Sequence, residues 1–226
     1  MAKSSSAFVC QACGASFPKW SGRCDACGAW NTLVEEAAPP PLGGGARKRD
    51  RGRPFALEDL KTEDKEPPRR VTGVAEFDRV CGGGLVPGSA VLIGGDPGVG
   101  KSTLVLQALA AFARAGGRAV YISGEEAMAQ VRLRASRMGL AGDPVALGAA
   151  TNIEDILATL EGSNPPGILA IDSIQTIWTG ALDAAPGTVA QVRTGSYDLV
   201  RYAKASGAGL ILIGHVTKDG QIAGPR

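Results

Sequence analysis

The stretch "GGDPGVGKST", residues 94–103, decides the fold more than any other part of this 226-residue sequence. Gly95 to Ser102 match the spacing G-x-x-x-x-G-K-[S/T]. They follow the apolar run "AVLIGG" (90–95) and lead into "KSTLVLQALAAFARA" (101–115), whose apolar residues recur with helical period. A strand, a glycine-rich loop and a helix in that order form a phosphate cradle. The glycines let backbone N–H groups turn inward around phosphate oxygens, and the helix aims the positive end of its dipole at them. Lys101 reaches the β- and γ-phosphates, and Ser102 ligates Mg2+.

The same alternation continues beyond the loop. Strand-like runs "RAVYIS" (118–123), "PVALGA" (144–149), "GILAID" (167–172) and "GLILIG" (209–214) are separated by the helical stretches "EAMAQVRLRASRMG" (126–139) and "NIEDILATLEG" (152–162). A further helix near 188–206 carries Val189, Val192, Leu199 and Ala203 on one face. Short strands that are apolar throughout and alternate with helices imply an α/β fold with a mainly parallel sheet covered on both faces.

Such sheets bind ligands beyond the carboxyl ends of their strands, and several polar residues fall there. Asp172 ends "GILAID", where an acid holds Mg2+ through water; the structural alternative is a helix cap or turn residue. Glu125 and Glu126 follow "YISG", so one carboxylate is placed to orient or deprotonate an attacking water. Glu126 is expected in the first turn of the next helix, where the dipole favours it. His215, the single histidine, follows "LILIG" and is either a γ-phosphate sensor or an ordinary satisfied polar residue. Cys81, in "DRVCGGGLVPGS", reads as a small packed side chain.

The other four cysteines lie in "CQACGASFPKWSGRCDACGAW", residues 10–30. Cys10 and Cys13 form one CxxC, Cys24 and Cys27 a second, with ten residues between the pairs. Four thiolates on two tight turns suit a tetrahedral, closed and therefore structural Zn2+ site. Gly14 and Gly28 follow the second Cys of each pair, where such a turn needs positive φ. The metal replaces the hydrophobic core that a segment this short cannot build. Phe17, Trp20 and Trp30 are expected to pack over the site, with base stacking the alternative. Three segments follow: a four-Cys zinc module over 8–34, a flexible Pro-, Gly- and charge-rich linker over 35–66, and a P-loop domain over 67–226.

Hydrophobic residues make up 44% of the chain, enough for a packed core. No eighteen-residue apolar run and no secretory signal pattern is present, so a cytoplasmic protein without membrane contact is expected. The net charge of +2 does not by itself imply nucleic acid, but the basic excess is confined to residues 1–70, with 12 Lys and Arg against 9 Asp and Glu.

Taken together, the double CxxC, "VTGVAEFDRVCGGGLVPGSAVLIGGDPGVGKSTL", "YISGEEA", "AIDSIQT", "APGTVAQVR" and "GHVTKDGQIAGPR" resemble the bacterial RadA (Sms) family of RecA-like ATPases. The resemblance implies that Gly95, Asp96, Pro97, Gly98, Val99, Gly100, Lys101, Ser102 and Thr103 bind ATP. It further implies that Glu125 is the catalytic carboxylate, Asp172 the second acidic motif, and His215 the phosphate-sensing residue. Lys218 and Arg226 then flank a DNA-facing loop. The implied activity is that of a ring-forming, DNA-stimulated ATPase. It acts on single-stranded and branched DNA beside the RecA recombinase and drives branch migration. The family continues past the position of Arg226, into a Lys-Asn-Arg-Phe-Gly motif, further core strands and a Lon-like domain. The chain is therefore expected to be C-terminally truncated, with an incomplete core and weak or absent turnover. The alternative is a RecA-like nucleotide-dependent regulator or adaptor without motor activity. A circadian-clock type of regulator has no reason to carry the four-Cys module, and an adaptor without hydrolysis could dispense with Glu125 and Asp172.

Overall fold

The computed structural model describes residues 6–10, 16–26, 28–37, 57, 68–161 and 164–215. Near the N-terminus, β1 (Ser6–Cys10), β2 (Ser16–Phe17) and β3 (Leu33–Ala37) form an antiparallel sheet in the order β2-β1-β3. Its core consists of Cys10, Cys24 and Leu33, with Phe8 and Phe17 against them. Strand β3 runs to Ala37, three residues past the expected end of the zinc module at 34. The remainder of the expected linker lies outside the described residues apart from Leu57.

Phe17 packs as expected, but the tryptophans do not. Trp20 and Trp30 are 58% and 70% exposed. Covering an indole takes roughly 150–250 Å² of partner surface, and a cluster this small has none to spare. Each ring instead comes to about 4 Å from where a Cβ on Gly22 would lie, and the Arg23 guanidinium sits 5.8 Å from the Trp30 ring centre.

The larger unit is a five-stranded parallel sheet of β4 (Ala90–Gly95), β5 (Ala119–Ser123), β6 (Val145–Ala149), β7 (Ile168–Asp172) and β8 (Gly209–His215), in the order β4-β8-β7-β5-β6. Alternate residues feed two cores, as the period-2 pleat requires. Ile168, Ala170, Ile211 and Ile213 face one side, with Tyr121, and meet Val105, Leu109 and Phe112 of α2 (Lys101–Arg114). Leu169, Ile171, Leu210 and Leu212 face the other, against α4 (Ile153–Glu161) and α5 (Val189–Ser206). The helix α3 (Met128–Arg137) completes the first side. The edge strand β4 is only half covered, and Leu92 is 44% exposed.

Ahead of the sheet, the short α1 (Ala75–Val80) has no counterpart in the periodicity-based expectation. It is organised by Asp78, whose buried carboxylate accepts hydrogen bonds from the Thr72 and Gly73 amides and the Thr72 hydroxyl at 2.8–2.9 Å. Among the described residues no helix is long and apolar enough to cross a membrane.

Candidate nucleotide-hydrolysis site

Parallel strands end together, so the register alone assembles the site. Gly95 at the end of β4 lies opposite His215 at the end of β8, and Ser123 at the end of β5 lies opposite Asp172 at the end of β7. The loop after β4, the residues after β5, Asp172 and His215 therefore share one edge.

Lys101 is 7% exposed, and its Nζ donates to the carbonyls of Gly95 and Asp96, each at 2.8 Å. The lysine thus closes the loop 95–101 on itself. Gly98 and Gly100 have φ of 82° and 98°, a left-handed backbone that favours glycine, and a Cβ built on either meets nothing within 4 Å. Gly100 caps α2 without any side-chain hydrogen bond. The first N–H groups of the helix lack that partner, which is what an anion-binding helix end requires. The residues present fit Mg2+ and a nucleotide: Ser102 and Thr103 open α2, and Asp172, 5% exposed, ends the neighbouring β7. A groove of about 540 Å³ lies elsewhere, between α2, α3 and β6, and contains no residue of the phosphate loop.

Glu125 is the hub of the polar network. Its Oε1 meets His215 Nε2 at 2.8 Å and accepts from the Ser173 hydroxyl. Gln175 Nε2 donates to the His215 carbonyl at 3.3 Å, steadying the end of β8. Burial is the largest single influence on the Glu125 carboxyl and pushes its pKa up. Ser173, His215 and the charge of Lys101 together outweigh it and hold the group below its ordinary value. The carboxylate is thus ionised at neutral pH, as a base toward water requires. Asp172 accepts from the Tyr121 hydroxyl.

Glu126 differs from its expected place. It lies just before α3, whose N-cap is Ala127, so it is outside the first turn; it pairs instead with Arg134. That separation leaves Glu125 as the carboxylate aimed at His215. The Cys81 thiol is pushed up by burial, then by the charge of Asp78, and so stays protonated and packed.

Of the four cysteines, Cys10 and Cys24 are 0% and 1% exposed and share one cluster, while Cys13, Gly14 and Cys27 lie outside the described residues. Gly28 has the expected positive φ, 76°, and its N–H bonds to the Cys24 carbonyl at 2.8 Å, the tight turn a thiolate pair needs. These residues fit the zinc expectation. Among the described residues no group of three or more metal-ligating side chains occurs. Lys218 and Arg226 also lie outside the described residues.

The comparisons with known proteins bear on the same two units. A family model described as KaiC, an ATPase, matches residues 71–164, and one described as a rubredoxin metal-binding domain matches residues 8–35. The chain is 55% identical to DNA repair protein RadA of Brucella abortus and 51% identical to that of Pseudomonas aeruginosa, in each case over 100% of the chain and 50% of the relative. It is 46% identical to DNA repair protein RadA of Escherichia coli, over 97% of the chain and 49% of the relative. Over its whole length the chain is similar to these RadA proteins. It spans about half the length of these RadA relatives. Its α/β core is a RecA-like ATPase domain, and its N-terminal sheet is a rubredoxin-like zinc ribbon.

Ser173, Gln175 and Tyr121 join this polar cluster, and motif spacing misses them. Tyr121 had a signal: a phenol on an otherwise aliphatic strand needs a buried partner. Ser173 had none, because its contact with Glu125 spans 48 positions of sequence.

Proposed function

We propose that this chain carries the ATP-hydrolysing site of a DNA-dependent ATPase of recombinational repair, one that processes recombination intermediates and promotes branch migration. The observation that supports it best is Glu125, held as a carboxylate by Ser173 and His215 at the sheet edge shared with the phosphate loop. Gly95 to Thr103 bind the phosphates, and the amine of Lys101 leaves the two loop carbonyls for them. Mg2+, held by Ser102 and, through water, by Asp172, supplies charge neutralisation when bound. Glu125 orients the attacking water and takes its proton. His215, one hydrogen bond away from that carboxylate, senses the terminal phosphate.

Cys10, Cys13, Cys24 and Cys27 hold a structural zinc in the module 8–34, followed by the linker 35–66 and the ATPase domain from 67. Lys218 and Arg226, after β8, contact DNA phosphates. The substrates are single-stranded and branched DNA, the partner is the RecA recombinase, the working form is a homo-oligomeric ring, and the setting is the cytoplasm. An adaptor without hydrolysis has no use for a carboxylate prepared as a base.

The test is ATP turnover with and without single-stranded DNA, in a version extended to the full length of the RadA relatives, unsubstituted and carrying Glu125→Gln. Turnover that DNA stimulates and Glu125→Gln abolishes supports the reading. Equal turnover in the two proteins would sink it.

A further inference from the structure

Tyr121 is fully buried, on the strand between β7 and the edge strand β6. The register sets it opposite Ala170, two residues short of Asp172 on β7. A long side chain reaches such a diagonal neighbour, and the phenol hydroxyl donates to Asp172 Oδ2. Among the described residues it is the side-chain partner of Asp172. A second charge bears on the phenol from α3: that of Arg134, which is itself paired with Glu126.

A carboxylate that holds a metal through water depends on its orientation, because a rotation of the carboxyl plane moves both oxygens relative to the water shell. Asp172 is a short side chain at a strand end, where its terminal torsion is broad. We propose that Tyr121 is a positioning residue for Mg2+: its hydroxyl holds one oxygen of Asp172 and so presents a single carboxylate orientation to the water shell of the metal-bound nucleotide. The arrangement couples the centre of the sheet to its edge. The inference rests on the nucleotide-hydrolysis reading given above.

Calorimetric titration of ADP, with and without Mg2+, tests it on the unsubstituted protein, Y121F, D172N and the double variant. Without Mg2+, Y121F is expected to bind ADP within about twofold of the unsubstituted protein, and the double variant within about twofold of D172N. The affinity gained on adding Mg2+ is expected to fall by roughly 3–10-fold in Y121F, the scale of one oriented hydrogen bond, and further in D172N. If Tyr121 acts through Asp172, Y121F adds no further loss in the D172N background. A full Mg2+ gain in Y121F, an additive loss in the double variant, or an equal loss of Mg2+-free binding would each overturn the proposal. A Y121F protein that no longer folded would assign Tyr121 to the fold and overturn it too. If the unsubstituted protein bound no ADP, the nucleotide reading would fall as well, which separates the two failures.

Discussion

Lys101 donates to two loop carbonyls, whereas Glu125 touches no part of the phosphate loop through a hydrogen bond. Their substitutions should therefore separate. Lys101→Ala removes the positive charge that meets the phosphates and is expected to weaken nucleotide binding as well as turnover. Glu125→Gln is expected to keep binding and slow hydrolysis by about 100-fold or more, the scale of a lost general base. Nucleotide titration beside steady-state turnover checks both, and a Glu125→Gln protein with unchanged turnover would move the role elsewhere.

The pH profile carries a second residue-scale prediction. His215 and Ser173 both lower the Glu125 pKa, so His215→Gln raises it, and the acid limb of kcat/KM is expected to move to higher pH. For stability the sign is that of any depressed carboxylate. The contribution is present above the ordinary Glu value of about 4.3 and is lost as pH falls through the lower folded value. With its side chain 37% exposed, Glu125 contributes little to that balance. An acid limb that stays in place in His215→Gln would show that this pair does not set the base.

At the scale of elements, the loop between the short 3-10 turn Ile174–Thr176 and α5 depends on one buried amide. Gln191, 1% exposed, accepts from the Thr179 N–H at 2.8 Å and donates to the carbonyls of Thr179 and Ala184 at 3.2 and 2.8 Å. These bonds hold the loop that leads from the turn to α5. Gln191→Ala leaves those backbone groups without their partner, at a cost of about 2 kcal/mol or more. Thermal melting is expected to show a clear drop, and a variant as stable as the parent would mean that water replaces the amide freely. Gly124 is needed for a different reason: its N–H bonds to the Asp172 carbonyl at 2.7 Å, and any side chain there would run into Thr176.

For the whole molecule, the ribbon and the ATPase domain have separate cores. The ribbon core is too small to be stable without metal. Freshly purified protein is therefore expected to hold about one zinc per chain by elemental analysis, and Cys24→Ala to lose it. Stripping the metal should remove the ribbon's contribution to melting and leave the ATPase transition in place. Metal-free protein at the outset would refute the zinc assignment.

Much of this was determined by the sequence alone, because the signals are local. Spacing within Gly95–Ser102 specifies a loop and the start of a helix, and the runs 118–123, 167–172 and 209–214 specify buried parallel strands, which the structure contains as β5, β7 and β8. The two CxxC pairs likewise announce the ribbon that the family match places at residues 8–35. Neighbour relations in space were decided only by the tertiary structure. The last strand, β8, enters between β4 and β7, which puts His215 beside Gly95 and within hydrogen-bond reach of Glu125, 90 positions earlier. The Tyr121 bond to Asp172 spans 51 positions. Periodicity records which face of an element is buried but not which strand lies beside it. That choice comes from packing both faces of one sheet at once, and the same packing turned Glu126 toward Arg134. In the ribbon it is the small core that left Trp20 and Trp30 on the surface.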